Sequence, residues 1–333
     1  MGEPVSLRVG VIGVGAMGAE HVRNLTQSVP AARVSEIFDA DPAQGRSVAV
    51  AAGASVAPSA QSLIDSDEVD AVIICTPDFT HAELSHACIG AGKPTLCEKP
   101  LALTAEESSA VVEAEVASGR QLVQVGFMRR YDPGFIALRD AALGGGIGLP
   151  RIVHCVHRNA RSHTSTSSAN LITGSMIHEL DMVRWLLDDE VAGITVRSPI
   201  TNGFADPQLA TIDMVSGTLV SVEVFVNAAY GYDVRCEVVG TAGTASLSAP
   251  QSISTRRAGA DSVAISDHFV ARFVDAYRLE LGDWVGASLT GRVRGPSAWD
   301  GHVANVIAAA GVEALRSGAR AEVRVPPRPV LYA

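Results

Sequence analysis

Lysine is nearly missing from this chain. Lys93 and Lys99 are the two lysines among 26 basic residues, and the rest are arginine. Aromatic residues make up only 5% of the sequence. No run of about 18 apolar residues occurs, which argues against a membrane-spanning helix. There is no basic cluster either, and 36 acidic residues bring the formal charge to −10. Nucleic acid and anionic membrane are therefore poor partners. The five cysteines (Cys75, Cys88, Cys97, Cys155 and Cys236) are widely spaced and form no CxxC pair. Neither a zinc centre nor a disulfide framework is expected, and the thiols are expected to be reduced. Met1 to Pro4 is polar and the first apolar run is broken by glycine, so no secretory leader is expected and a cytoplasmic location is.

What the chain has is ordinary globular material. Apolar residues are 47% and charged residues 19% of 333, which excludes disorder and low complexity. At roughly 150 residues per domain, that length suggests two domains. Up to Gly126, strand and helix patterns alternate. Leu7–Ile12, Ala32–Phe38, Val69–Cys75, Thr95–Cys97 and Gln121–Gly126 read as strands. Gly18–Ser28, Asp41–Ala52, Thr80–Ala91 and Thr104–Ser118 read as helices. Asp41 is the expected N-cap before Pro42, and Thr104 with Glu107 forms a capping box. That alternation predicts a parallel sheet with helices on both faces.

After Tyr131 the rhythm changes. A helix is expected at Asp132–Leu143, and strands then dominate, among them Ile152–His157, Leu219–Val226, Val234–Val239 and Thr244–Leu247. Gly240-Thr241-Ala242-Gly243 signals a hairpin between the last two. Further helices are expected at Ser175–Leu187, His268–Trp284 and Ala298–Arg316. In the middle one, Phe269, Phe273, Tyr277, Leu281 and Trp284 recur at helical spacing and read as core. The expected fold class is therefore an N-terminal α/β Rossmann dinucleotide-binding domain, residues 1–126, followed by an α+β domain, residues 127–333, built on a large, mostly antiparallel sheet.

Three motifs carry chemistry. Gly13-Val14-Gly15-Ala16-Met17-Gly18 follows the first strand and opens the first helix. Glycines there let backbone approach a pyrophosphate, with the helix N-terminus supplying N–H groups and dipole. Asp39 ends the second strand, where an acid can bond both ribose hydroxyls of NAD and would repel the 2′-phosphate of NADP. No Arg follows it directly, since Arg46 is on the next helix, so NAD is the expected cofactor. The second motif is Cys97-Glu98-Lys99-Pro100, just past a short strand on the sheet's carboxyl edge. A partly desolvated lysine beside a cationic nicotinamide suits proton transfer. The third is Ile177-His178-Glu179-Leu180-Asp181. His178 and Asp181, three apart, share a helix face with Met182 and Trp185, so that face points inward. The motif is not a zinc HExxH, because position 182 is Met, and no metal is expected.

Together and in this order these motifs resemble the glucose-fructose oxidoreductase (Gfo/Idh/MocA) family over nearly the whole chain. The resemblance sharpens towards its inositol dehydrogenase branch at Gly126–Asp132 (GFMRRYD), His154–Asn159 (HCVHRN), Tyr230–Asp233 (YGYD) and Ala298–Gly301 (AWDG). It implies oxidation of the axial hydroxyl of myo-inositol to scyllo-inosose with hydride passed to NAD. By the same resemblance Lys99 takes part in proton transfer and His178 is its partner against the reacting hydroxyl. His157, Asn159, Asp181 and Tyr232 would line the polyol pocket. Thr76, Pro77 and His81 match a loop that touches the cofactor, and Glu98, Lys99 and Trp299 would contact the cofactor as well. A homotetramer built on the open face of the second sheet is also implied.

One position departs from the family pattern. Gly174 stands four residues before His178, where the family has an aspartate that holds the histidine and contacts the sugar. Such supporting groups can matter by orders of magnitude in rate. Ser175, Asp181 or a water could take over that part. Otherwise the pocket suits another polyol (a different or methylated inositol, an aminocyclitol or an aldose), or the chain is a non-catalytic NAD or sugar sensor.

Overall fold

The computed structural model describes residues 6–161, 167–201, 203–248 and 253–333; Met1 to Pro4 lies outside the described residues. The apolar segment β1 (Leu7–Ile12) forms the middle of a sheet because nearly all of its side chains have somewhere to be buried. The chain then runs through α1 (Ala16–Ser28), β2 (Ala32–Phe38), α2 (Pro42–Ala52), β3 (Ser55–Val56), α3 (Ala60–Asp65), β4 (Ala71–Ile74), α4 (His81–Gly90), β5 (Thr95–Cys97), α5 (Ala105–Ser118) and β6 (Val123–Val125). The six strands pair in parallel in the order β3-β2-β1-β4-β5-β6. The order reverses at β1, which makes its carboxyl end the natural ligand crevice. Two caps are those the sequence announced, and Ser59 forms a further capping box on α3. Asp41 accepts from Ala43 N and Gln44 N, and Thr104 and Glu107 exchange bonds as a capping box.

Beyond β6 come α6 (Pro133–Leu143), with Asp132 as N-cap, and β7 (Pro150–Arg158). A π-helical turn, Leu171–Met176, runs directly into α7 (Ile177–Leu187). Then follow β8 (Val191–Arg197), β9 (Ile200–Thr201), β10 (Phe204–Ala205), β11 (Gln208–Met214), β12 (Leu219–Phe225), β13 (Asp233–Gly240), β14 (Thr244–Ser246), β15 (Ser254–Arg257) and β16 (Ala260–Val263). The chain closes with α8 (Phe269–Arg272), α9 (Val274–Ser288), α10 (Ala298–Ser317) and β17 (Ala321–Glu322). A seven-stranded sheet has the order β14-β13-β7-β12-β11-β8-β17. Its pairings are antiparallel except for β7 with β12. Burial alternates along β11 and β12, so one face of the sheet is packed and the other open.

The chain divides into two compact units, and here the expected boundaries shift. The first unit comprises residues 1–128, 275–305 and 326–333; the second comprises 129–274 and 306–325. The second domain expected as one continuous block, 127–333, therefore gives up α9, the start of α10 and the C-terminal segment. The physical reason is burial. Leu281, Trp284 and Val285 of α9 lie in one core with Val9 and Val11 of β1, Ile73 of β4 and Leu96 of β5. Tyr332 donates to the buried carboxylate of Glu115 in α5 at 2.6 Å. The expected single helix His268–Trp284 is broken at Phe273, whose backbone leaves the helical region. Its aromatic stripe is still core from Phe273 to Trp284, while Phe269 is half-buried.

Candidate active site

In the first unit the glycines after β1 serve three different ends. Gly13 has φ +83°, and a Cβ there would lie 2.6 Å from the Cys75 carbonyl. A Cβ at Gly18 would lie 2.0 Å from the Gly13 carbonyl, so the loop can double back only over glycine. Gly15 is different, because no described atom lies within 4 Å of its would-be Cβ. Gly15 and Ala16 are exposed and Met17 is half-buried at the start of α1. That helix has no side-chain cap and no acid in its first turn, which leaves its amides and dipole for an incoming anion. Asp39 stands beside the loop at the end of β2. Its carboxylate accepts from Val14 N at 2.7 Å and from Asp41 N at 2.8 Å, while Gln44 donates to the Val14 carbonyl. An open glycine, an uncapped helix and a held acid together fit NAD.

The next parallel strands deliver the other groups. Thr76, half-buried, and Pro77, exposed, leave β4, and Thr80 donates to the Thr76 hydroxyl at 2.6 Å. Cys97, Glu98 and Lys99 leave β5. Lys99 is half-buried. The Glu98 carboxylate meets His21 of α1 at 2.8 Å and accepts weakly from the Lys99 amide at 3.3 Å. Burial opposes its charge, but His21 and Lys99 together hold its pKa below the ordinary carboxylate value. His81 is also turned inward, 1% exposed, with both ring nitrogens on backbone carbonyls. Glu98 and His81 thus support the loops that carry Lys99, Thr76 and Pro77. Trp299, in the first turn of α10, is buried and tilted against His302 at 5.6 Å.

Among the described residues, His21, Cys75 and Glu98 bring ligand-type atoms within 4.8 Å of one another. Two of them already form a hydrogen-bonded pair. Burial, then the charge of Glu98, pushes the Cys75 thiol well above its usual pKa. A neutral thiol beside a histidine already hydrogen-bonded to its carboxylate is weak material for a metal centre.

In the second unit the predicted polyol residues converge on the start of α7 and the end of β7. His157 is buried, with its ring edge-to-face to both His178 (centroids 6.2 Å apart) and Tyr232 (6.0 Å). Tyr232 is anchored by its amide on the Ser266 carbonyl and packs against Phe269 and Phe273. Burial lifts its hydroxyl to about 12, so it is a neutral donor at neutral pH. Asn159 continues β7 with its amide on Phe225 O and its carbonyl accepting from Ala228 N, which fixes the position of a half-buried side chain. Asp181 is 1% exposed, and Arg130 grips its two carboxylate oxygens at 2.9 and 2.5 Å.

Arg129, Arg130 and Glu179 were not singled out from sequence as site residues. Arg129 and Glu179 form a fully buried ion pair, and His157 Nδ1 lies 3.2 Å from each. Nδ1 is thus committed to this ion pair, accepting from Arg129 or donating to Glu179 according to its tautomer, and Nε2 is the ring nitrogen on the other side. Burial raises the cost of the Glu179 charge, yet Arg129 and His157 hold its pKa below the ordinary value. The signal lay in two adjacent arginines in GFMRRYD and two acids in HELD, but nothing in sequence says which arginine takes which acid. Gly174 falls within the π-helical turn before α7, and no described atom lies within 4 Å of its would-be Cβ. The space an aspartate would fill is there.

An NAD-type crevice on a parallel sheet, a lysine at its carboxyl edge and a second, sheet-based unit with buried polar side chains define a nicotinamide-dependent oxidoreductase. Residues 7–127 match the oxidoreductase family with NAD-binding Rossmann fold, and residues 135–246 match the GFO/IDH/MocA C-terminal domain. The chain belongs to the Gfo/Idh/MocA oxidoreductase family. It is 47% identical to inositol 2-dehydrogenase 1 of Saccharopolyspora erythraea, covering 98% of this chain and 99% of the relative. It is 44% identical to the inositol 2-dehydrogenase of Pseudomonas fluorescens, covering 99% and 100%. Among solved structures, the myo-inositol dehydrogenase of Lactobacillus casei in complex with NAD(H) and myo-inositol superposes with a TM-score of 0.95 at 33% identity, covering 98% and 100% of the two chains.

Proposed function

We propose that this chain is an NAD-dependent cyclitol dehydrogenase whose reaction converts myo-inositol to scyllo-inosose. The observation that carries the reading is Lys99 beside an NAD-shaped crevice, in a chain nearly half identical to inositol 2-dehydrogenases along almost its full length. Gly13, Gly15, Ala16, Met17 and Gly18 seat the pyrophosphate, Asp39 takes the ribose hydroxyls, and Thr76 and Pro77 border the nicotinamide side. Bound NAD supplies the hydride acceptor. Lys99 accepts the hydroxyl proton as the ring C–H gives up its hydride, and His178 bonds the same hydroxyl. Asn159, Tyr232 and the Nε2 side of His157 bond the remaining hydroxyls. Asp181 acts through Arg130 rather than by touching the polyol.

Supporting groups tune this set. Glu179 and Arg129 fix the His157 ring, as outer partners of a working histidine do. The open space at Gly174 favours a second reading on the same chemistry, a polyol bulkier than myo-inositol at that place. Two further readings concern context. The open face of the seven-stranded sheet carries Ile152 beside Leu219, with Leu209 also exposed, which supports a homotetramer assembled through it. Free thiols at Cys155 and Cys236, 3.7 Å apart and not bonded, fit a reducing cytoplasm. The test follows reduced-cofactor absorbance with NAD or NADP against myo-, scyllo-, chiro- and methyl-inositols and common aldoses. NADH formation from myo-inositol is expected. Turnover confined to another polyol selects the second reading, and NAD binding without turnover on any polyol overturns both.

A further inference from the structure

His81 opens α4 and is 1% exposed. Its ring stands between two backbone carbonyls, with Nδ1 2.7 Å from Pro100 O and Nε2 2.9 Å from Thr76 O. A carbonyl only accepts. Neutral imidazole has one N–H and one lone pair, so one of these contacts would set lone pair against lone pair in a buried place. Only the doubly protonated ring donates to both. The two carbonyls belong to different loops. Thr76 lies on the loop leaving β4 and Pro100 on the turn that carries Lys99 out of β5. These strands pair up to Ile74 and Cys97, and the last backbone bond between them runs from Glu98 N to Ile74 O at 2.9 Å. Past that point the His81 ring ties the two loops together.

We infer that His81 is a positioning residue, an imidazolium clip that fixes the spacing between the Thr76–Pro77 loop and Lys99. Charge and geometry agree. Burial opposes protonation, but adjacent Cys97 and the two carbonyls outweigh it and lift the ring to about 10. The catalytic consequence rests on the dehydrogenase reading; the protonation state does not. If the clip sets where Lys99 stands relative to the bound cofactor, its loss acts on turnover more than on binding, because small misplacements of reacting groups are felt in the chemical step.

The test has two arms. In 15N-histidine-labelled protein at about pH 8, where an ordinary histidine is neutral, both His81 nitrogens are expected to carry protons. A neutral ring there overturns the inference. In the second arm, His81→Gln is expected to lower kcat on the order of ten- to a hundredfold at saturating NAD and polyol. The dissociation constant for NAD is expected to stay within about threefold of the parent's, because the Gly13–Gly18 loop and Asp39 are untouched. A fall in melting temperature with kcat intact marks a merely structural histidine and overturns the inference. Should His81→Gln fail to fold, the ring signal of the parent, assigned through its own backbone, still decides. No turnover in the parent counts against the dehydrogenase reading and leaves the clip to the NMR arm.

Discussion

Gly174 leaves room for a carboxylate four residues before His178, and two neighbours that could have replaced it are occupied or short. Asp181 is gripped by Arg130, and Ser175 brings no charge. Gly174→Asp therefore restores an acid into open space. It is expected to raise kcat/KM for myo-inositol by about tenfold, the scale of one well-placed supporting charge. An unchanged or lower value, with a gain on no other inositol, would show that the site works without that acid. Glu280 is the other telling residue. It is fully buried in α9, and neither carboxylate oxygen has a hydrogen-bond partner among the described residues. Burial, then the charge of Glu98, pushes its pKa well above the ordinary 4.5. The folded chain therefore holds its proton more tightly than the unfolded chain. The stability this lends is complete below the ordinary value and is lost as pH rises towards the raised one. Glu280→Gln should leave stability nearly unchanged at about pH 5 and add roughly 1–2 kcal/mol at about pH 8. Denaturant titrations at both pH values check this, and an equal effect at both contradicts it.

At the scale of elements, much was legible and the reasons are local. Most of the strands and helices up to Gly126 announced themselves through apolar runs and caps, down to the capping box at Thr104. Most of the elements that went unnamed were short or broken, although the seven-residue β11 was neither. β3 and β17 have two residues each, α3 has six, and β8 carries a glycine in its middle. The π-helical turn before α7 has the same periodicity on paper as an ordinary turn, so sequence could not separate them. Of the site, Lys99, His178 and the glycine loop were legible because backbone geometry or a rare residue marks them. The Arg129–Glu179–His157 set was not, since it depends on which side chains tertiary packing brings together. The glycine loop gives a clean test at this scale. Gly15→Ala should keep the parent's melting temperature and weaken NAD binding by about tenfold or more, because only the cofactor needs that space. Gly18→Ala should destabilise the protein by roughly 1–3 kcal/mol, because its Cβ meets backbone. Calorimetric melting and NAD titration of both variants would contradict the account if the two effects were exchanged.

For the whole molecule, the lesson is that sequence order and packing order differ. The first unit recovers α9 and residues 326–333 from the far end of the chain. Reading in order could not show this, because the bonds that enforce it span the chain, such as Tyr332 to Glu115 and Gln121 to Leu331. The same scale holds the assembly prediction. If the open sheet face builds a homotetramer, the double substitution Ile152→Glu with Leu219→Glu, placing two charges side by side on it, should lower the mass measured by light scattering to a dimer or monomer. An unchanged tetramer would move the interface elsewhere.

The most direct test of the central claim is NADH formation from myo-inositol by the parent protein and by Lys99→Met, with NAD binding measured on both. The account predicts steady turnover by the parent, a loss of at least about a thousandfold in Lys99→Met, and NAD affinity within about threefold between them. Turnover by Lys99→Met comparable to the parent's would contradict it.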